Sequence, residues 1–403
     1  MLDFNNILST PGMDVQYFTG QGGIIGNIAS VTVVAAPAGV LTVTSSAASG
    51  GYQVGQAITV SGTLTAGTIN GTADFTTPVT FYIIRVDSAT SIWISATPGG
   101  AAVATTAGTA TPGGVFTLSS QWQTWRKPRG VKNVYMLGVG GGSSGTVGAN
   151  TAATNAGGQG GGSGGQTCVW IPAFFVPDVL YIQCGAGGRH PTTLVSLQLQ
   201  QGGGPTYVAI EPSSTLTANM TVLLANGGPS GVTNGGTLAT IAGMPLAARG
   251  SYTFFAGQAG TAGGAAGAGS GGNQTFPVSG IMVMGGSGGG GGGSATGGIG
   301  GALSVPLGAP YNDFFLFTYP GGTAASGATP AGAGFSGPVM KNFIMNYGGM
   351  GGGGASNTSG GQAGAGGNGA PGSGGGGSGG ATDITTLARP GNGGDGFVIV
   401  MSW

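Results

Sequence analysis

Residues 285–302 have the sequence GGSGGGGGGSATGGIGGA, and this stretch decides the fold of most of the chain. Sampled at every third position, two of its three phases hold almost nothing larger than glycine or alanine. The third phase also carries Ser287, Thr296 and Ile299. A three-residue period is that of an extended left-handed helix of the polyproline-II type, which makes no internal hydrogen bonds. Its backbone groups need partners in neighbouring segments. We therefore expect packed polyglycine-II helices, with the bare phases buried and the third phase exposed.

The same period recurs in 257–272 and in 360–374, where Gln362 and Asn368 fall on the third phase, and it is less regular in 138–165. Two other structures have glycine-rich segments. Collagen is disfavoured because prolines are few and the segments are short. Flexible Gly/Ser linkers are the remaining alternative.

The composition excludes several classes of protein. The chain has 403 residues, of which 95 are glycine and 4% are charged, against about 25% charged in ordinary domains. An ordinary soluble α/β enzyme does not have this composition. Typical disorder is also disfavoured, because hydrophobic content is 40% and net charge is zero. Zero net charge gives no general attraction to nucleic acid or to anionic membranes. The start, MLDFNNILST, predicts no signal peptide, and no glycine-free apolar stretch predicts a membrane span.

The chain is predicted to be all-β, with three regions. Residues 1–24 are expected to be an irregular docking arm with anchors such as Tyr17 and Phe18. Residues 25–120 predict a β-sandwich or small barrel, since five alternating runs are separated by turn residues. These runs are SVTVVAAP, GVLTVTSS, QAITVSGT, VTFYIIRVD and SIWISATP. Residues 121–403 form the glycine-rich domain, and we expect strands 134–139 and 397–403 to pair and close it.

The two cysteines flank the segment TCVWIPAFFVPDVLYIQCG. A hairpin centred near Val176 would place Cys168 opposite Cys184, within reach of a disulfide bond. The alternative is two buried, small apolar residues in a chain assembled in a reducing cytosol. Zinc is disfavoured because His190 is the only histidine.

No catalytic constellation is visible in the sequence. His190 follows Arg189, which favours a loop contact over a catalytic role, and the nine acidic residues are scattered. We expect no enzyme activity, no cofactor and no metal site.

One cluster of positive charge stands out. Four of the nine basic residues lie within seven positions: Arg126, Lys127, Arg129 and Lys132. One interpretation is an anionic partner, such as lipopolysaccharide phosphate or the acidic surface of a neighbouring subunit. The other is a solvated strand at the domain boundary.

The candidate recognition surface is aromatic, because aromatic faces stack on sugar rings and dominate protein interfaces. Its members are Tyr311, Phe314, Phe315, Phe317, Tyr319, Phe343 and Tyr347. The alternative is that these rings are buried as end-caps of the glycine helices or in a subunit interface.

The order of these segments resembles the glycine-rich domains at the ends of phage tail fibres. The strand QTWRKPRGVKNVYMLGVGGG is followed by YIQCGAGG, GGGPTYVAI, VLLANGGPSG and finally GGDGFVIVMSW. The pattern is also similar to the glycine-rich adhesins that cap tail fibres of T-even-like phages, whose core is a sandwich of polyglycine-II helices. The resemblance covers about residues 121–403. The block containing GYQVGQAITVSGT resembles β-modules of phage structural proteins.

The resemblance implies a phage virion protein that binds the host surface through loops between glycine helices. The expected partners are other virion proteins, contacted through the N-terminal region, and a host glycan or outer-membrane protein. Such proteins are trimeric or monomeric, so a homotrimer stays open. The alternative function is purely architectural: a capsid decoration, head fibre or tail-collar protein. An ice-binding protein shares the glycine pattern but would not explain the β-domain.

Overall fold

In a computed structural model of the chain, the described residues form β-strands and one short 3-10 helix, Ala173–Phe175, and no α-helix. The structure describes residues 13–19, 28–33, 40–45, 57–64, 66–88, 91–97, 100–110, 116–120, 123–149, 155–189, 201–210, 221–229, 235–237, 250–275, 283–293, 296–304, 319–326, 329–337, 339–340, 345–346, 348–354, 362–381 and 387–403. Its sheets are antiparallel, apart from one two-residue parallel ladder. The predicted all-β class is confirmed.

The strands are numbered in chain order. They are β1 (Asp14–Thr19), β2 (Ile28–Val33), β3 (Val40–Ser45), β4 (Ala57–Thr63), β5 (Thr68–Ile69), β6 (Asp74–Ser88), β7 (Ser91–Ser95), β8 (Thr105–Thr106), β9 (Gly108–Ala110), β10 (Phe116–Ser120), β11 (Gln123–Arg126), β12 (Asn133–Val139), β13 (Gln166–Pro172), β14 (Val179–Gln183), β15 (Thr206–Ala209), β16 (Thr221–Ala225), β17 (Ser251–Phe255), β18 (Gln274–Thr275), β19 (Leu303–Ser304), β20 (Val339–Met340), β21 (Met345–Asn346) and β22 (Phe397–Ser402).

The strands predicted within residues 25–120 are present as β2, β3, β4, β6 and β7. They belong to one seven-stranded sheet in the order β10-β4-β6-β7-β3-β2-β9. Alternate residues of β6 and β7, such as Phe81, Ile83 and Ile94, are buried. Within the described residues the only other ladder of this region is β5–β8, and the sandwich or small barrel expected here stays a prediction.

A β-sandwich is instead found in the glycine-rich part of the chain. A five-stranded sheet, β1-β22-β12-β13-β17, packs on a four-stranded sheet, β11-β14-β15-β16. Trp125 and Leu180 of the smaller sheet meet Met136 and Val400 of the larger one in a common core, and all four side chains are almost fully buried. The predicted pairing of 134–139 with 397–403 is confirmed, with Val139 opposite Phe397.

Strand β1 joins this sandwich from the start of the chain. It pairs with β22, from Asp14 opposite Ser402 to Thr19 opposite Phe397. The irregular structure predicted for residues 1–24 is therefore wrong for these six residues, although Phe18 is a buried anchor as expected. The chain leaves the sandwich after Thr19 and returns at Gln123, whose side-chain amide donates to the Thr19 carbonyl at 3.2 Å. The seven-stranded sheet is thus inserted between two adjacent strand ends.

The sandwich strands continue into glycine segments at one common end. β12 runs into 140–149, and β13 is preceded by 155–165. These two segments stay antiparallel and keep bonding at every third residue, as in Ser143 N–H to Gly162 O at 2.8 Å and Thr146 N–H to Gln159 O at 2.8 Å. The segments beside β14, β15, β16, β17 and β22 leave from the same end. The segments 138–149 and 155–165, where the period is less regular in sequence, are therefore part of the same lattice.

The segment 373–381 shows how the lattice is bonded, because all nine of its residues are buried. Its N–H groups donate at every third residue to one of three neighbours: 284–290, 143–149 or 364–367. Its carbonyls accept from three others: 158–161, 349–352 and 391–394. The donor–acceptor pairs of one phase are Gly374 to Met284, Gly377 to Ser287 and Gly380 to Gly290, at 2.8–2.9 Å. Six neighbours bonded in steps of three are the arrangement expected of polyglycine-II packing, a name that stays our interpretation.

Serines inside this lattice bond to its backbone. Ser143 Oγ donates to Gly162 O at 3.1 Å and accepts from Gly162 N–H at 2.8 Å. Ser378 Oγ accepts from Gly148 N–H at 2.9 Å, and Ser163 Oγ from Gln258 N–H at 2.8 Å. A small hydroxyl therefore substitutes for a backbone partner and satisfies buried polar groups of the lattice.

The expected exposed phase is found in only part of the lattice. Ile299 is 56% exposed, and Gln362 and Asn368 are also exposed, as predicted. Ser287 is only 2% exposed, and all of 285–293 is buried, so the prediction of an exposed third phase is wrong there. The reason is that an interior segment has neighbours on all sides, whereas 296–302 lies at the surface.

Adding one methyl group inside the lattice should be strongly destabilising. A Cβ atom at Gly377 would overlap the carbonyl oxygen of Gly158, which is backbone and cannot rotate away. We expect Gly377→Ala to lower the free energy of unfolding by about 3 kcal/mol. Ala262→Leu adds more atoms at an exposed position and should cost less than about 0.5 kcal/mol. Denaturant unfolding of the two variants beside the parent protein measures the difference, and equal stabilities would refute the packing.

Candidate functional site

The sandwich has two ends, and the end away from the glycine lattice holds the cluster of basic residues. Two loops meet there: residues 127–132 between β11 and β12, and residues 173–178 between β13 and β14. They line a cavity of about 820 Å³ that is open to solvent, here called the basic cavity. Its lining residues are Arg126, Lys127, Pro128, Arg129, Gly130, Val131, Lys132, Ala173, Phe174, Asp178 and Val179. All four predicted basic residues are therefore brought together.

Lys127 has a structural part in this cavity. Its ammonium donates to the carbonyls of Ala173 at 3.2 Å and Val176 at 2.6 Å, and lies 3.1 Å from Asp178. The Lys127 side chain is 20% exposed, whereas that of Asp178 is 91% exposed. Hydrogen bonds from a charged donor are stronger than neutral ones, so Lys127 fixes the 3-10 turn of the second loop to the first.

The other three basic side chains, Arg126, Arg129 and Lys132, are exposed. Within the described part of the chain, no carboxylate lies within ion-pair distance of them. Four cationic side chains and one carboxylate line the cavity, which leaves a formal charge of +3. The electrostatic potentials of positive charges around a concavity add together and attract anions. Of the two interpretations of this cluster, the geometry is compatible with the anionic partner.

Phe174 is a member of the cavity that the sequence analysis missed. Its side chain is 90% exposed and meets the Phe175 ring edge-on at 5.4 Å between centroids. The segment was interpreted as part of a hairpin. Pro172 and Pro177, which bracket the two phenylalanines, were the signal for a turn.

Of the two alternatives for the cysteines, the disulfide is not formed, since Cys168 and Cys184 are both free. Cys168 is in β13, opposite Leu137 of β12, whereas Cys184 follows β14 in the other sheet. The loop 173–178 crosses between the two sheets, so the hairpin prediction is wrong. The alternative of two small unpaired residues is correct, with Cys184 buried and Cys168 half-buried.

Of the predicted aromatic surface, only Tyr319 lies within the described residues. It is half-buried against Met284, Leu303 and Met350, which is a packing role. The other members, Tyr311, Phe314, Phe315, Phe317, Phe343 and Tyr347, lie outside the described residues, so their role stays a prediction.

A second, smaller concavity of about 400 Å³ lies on the lattice beside Arg189 and Asp395. The Asp395 carboxylate accepts from Gly187 N–H at 2.9 Å and lies 3.5 Å from the Arg189 guanidinium. This carboxylate joins two glycine segments. The predicted loop residue His190 lies outside the described residues.

In the described ranges, no group of three His, Cys, Asp or Glu side chains could hold a metal ion. The same ranges contain no helix with the length and hydropathy needed to cross a membrane. No family model and no curated protein matches this chain.

Lys127 and Lys132 offer a matched test of the turn. Lys127→Met removes the bonds to Ala173 O and Val176 O, so hydrogen exchange at residues 173–178 should become faster. Lys132→Met makes the same change of charge at an exposed side chain and should leave exchange unchanged. Exchange followed by mass spectrometry distinguishes them, and equal rates in both variants would contradict the role of Lys127.

The buried thiol of Cys184 predicts a loss of stability in alkali. Burial raises its pKa from 9.0 to about 12. The unfolded chain loses this proton first, so the stabilisation is complete below pH 9 and is lost as pH rises towards 12. We expect the free energy of unfolding to fall in that window by about 1.4 kcal/mol per pH unit from this group. Half-buried tyrosines with raised pKa values, such as Tyr135 and Tyr252, add to the slope in all variants.

Cys184→Ala isolates the thiol, because the tyrosines are common to both proteins. Denaturant unfolding at several pH values between 9 and 12 should give a shallower decline for this variant. Parallel declines would show that Cys184 is not the group responsible.

Proposed function

We propose that this chain is a structural protein of a bacteriophage virion, a tail-fibre or fibre-tip protein that attaches the particle to the host-cell surface. The observation that carries the proposal is the joint architecture of sandwich and lattice. Seven sandwich strands, β12 to β17 and β22, continue directly into glycine segments, and the other described glycine segments bond to these or to one another. The motif order of residues 121–403, which resembles fibre-end domains, supports the same function.

The architecture suits a spacer that must hold loops away from its base. The ten residues of 140–149 span about 31 Å at 3.1 Å per residue. Their backbone bonds to neighbours on several sides resist bending, although the side chains are very small. The chain reverses at the far end, as in the turn at 266–268, where Ala268 has a φ of 73°. Loops of this end are where we place host recognition.

Ser304 and Tyr319, the described residues on either side of most of the predicted aromatic surface, do not lie at this far end of the lattice. Segment 296–304 runs back towards the sandwich, because it bonds to 269–274, and Leu303 packs in one cluster with Met284. Met284 directly follows Val283, which packs on the outer face of the five-stranded sheet. Ser304 and Tyr319 are therefore on the sandwich side of the lattice. This favours the far-end loops over residues 311–319 as the first place to look for receptor contacts.

Adsorption competition tests the proposal. Purified protein should occupy the receptor and slow phage attachment to a sensitive strain, and antibodies against the protein should lower infection. A strain to which the phage does not adsorb is the control, and it should not bind the labelled protein. If neither the protein nor the antibodies affect attachment, host binding is refuted. Immunogold labelling of intact particles then decides whether the architectural alternative holds.

A further inference from the structure

We infer that the basic cavity is a docking socket for an acidic segment of a neighbouring virion protein, one that carries an apolar side chain. The inference rests on the proposed function for the identity of the partner as a virion component. It differs from the expectation that virion contacts are made through residues 1–24 and the N-terminal region.

Charge selects an anionic partner. The chain has nine basic and nine acidic residues, and four of the basic ones line this single cavity. Lys127 is engaged by two carbonyls and Asp178, whereas Arg126, Arg129 and Lys132 project from the rim. Guanidinium groups bind carboxylates in bidentate fashion and are enriched at protein interfaces. Two arginines at the rim therefore favour carboxylates of a protein.

The exposed ring of Phe174 favours a partner that carries an apolar side chain beside its carboxylates. Phe174 is 90% exposed, on a turn that Lys127 holds from beneath. An aromatic side chain that is exposed on the free surface has a large apolar area to bury on binding, and such residues contribute much of the energy of protein interfaces. Trp403, which is 40% exposed, is at the same end, since Lys132 N–H donates to its carbonyl at 2.7 Å.

The basic cavity lies at the end of the sandwich opposite the glycine lattice, which we call the base of the protein. The glycine segments leave from the opposite end of the strands, and so do the two crossings to the seven-stranded sheet at Thr19 and Gln123. If the loops of the lattice face the host, the basic cavity faces the particle. A concavity of about 820 Å³ also fits a peptide segment better than a flat membrane surface, which would contact only its rim.

A defined probe tests the chemistry. The probe is a fluorescein-labelled peptide, Glu-Glu-Leu-Glu-Glu, and its affinity for the full-length protein is measured by anisotropy at low salt. The double variant Arg126→Glu/Arg129→Glu should bind about tenfold more weakly, and Phe174→Ala about fivefold. Arg389→Glu, which reverses an exposed charge outside the cavity, should leave affinity unchanged.

A double-mutant cycle tests the contact between leucine and Phe174. Replacing the peptide leucine by alanine should weaken binding to the parent protein, but should cost nothing further in Phe174→Ala. Equal losses in both proteins would overturn the assigned contact. Unchanged affinity in the double charge variant, or equal binding of Lys-Lys-Leu-Lys-Lys, would overturn the socket. Binding to phosphatidylglycerol vesicles without binding to the acidic peptide would replace the protein partner by a membrane.

Phage particles assembled with the variant protein separate this inference from the proposed function. Arg126→Glu/Arg129→Glu should be absent from purified particles, while the purified variant still competes for adsorption as the parent does. Incorporation at the normal copy number would overturn the socket and leave host attachment standing. Failure of the parent protein to compete would overturn host attachment, whatever the peptide binding shows.

Discussion

The fold of this protein depends on hydrogen bonds between the backbones of glycine segments that lie too close together for most side chains. In the segment 373–381, successive N–H groups point to three different neighbours, and the carbonyls accept from three more. At most positions such close approach leaves no room for a Cβ atom, as at Gly377 against Gly158. Each glycine loses more conformational entropy on ordering than any other residue. A net gain of about 1 kcal/mol per hydrogen bond offsets that loss only when most bonds form together.

The β-sandwich makes that cooperation attainable. Its strands hold the first residues of several glycine segments side by side and in register. Most of the conformational entropy that is lost when these segments come together is therefore already lost when the sheets form. The boundary between the two bonding patterns is held by Thr206. Its hydroxyl donates to Val139 O of the larger sheet at 2.7 Å and accepts from Gly185 N–H at 2.8 Å. The apolar core around Trp125 and Met136 thus stabilises a lattice that has almost no apolar side chains of its own.

Local patterns were predictable from sequence, and long-range partners were not. Alternation located β6 and β7, and the period of three located the glycine segments, because both follow from one chain's own geometry. The burial of Ser287 was missed, since a serine fits both an interior and an exposed phase of the lattice. The hairpin expected between Cys168 and Cys184 was wrong, because β13 pairs with β12 and β17 instead. Only part of the socket could be predicted from sequence. Its basic residues are close together in the sequence, whereas Phe174 is distant in sequence and is brought to them by the fold.

The lattice also explains why function is confined to its margins. A buried charge without a partner is costly, and the interior of the lattice offers only backbone groups and a few serine hydroxyls, which already bond one another. Around the sandwich and the lattice, the charged side chains that the structure describes are accordingly at strand ends, as Arg126 is, at exposed positions, as Asp178 and Arg389 are, or in an ion pair, as Arg189 and Asp395 are. Recognition requires charge, aromatic rings or both, and neither fits between glycine segments. Under the proposed function, we therefore expect partner binding at the two ends of the body formed by the sandwich and the lattice, where charged and aromatic side chains can be exposed.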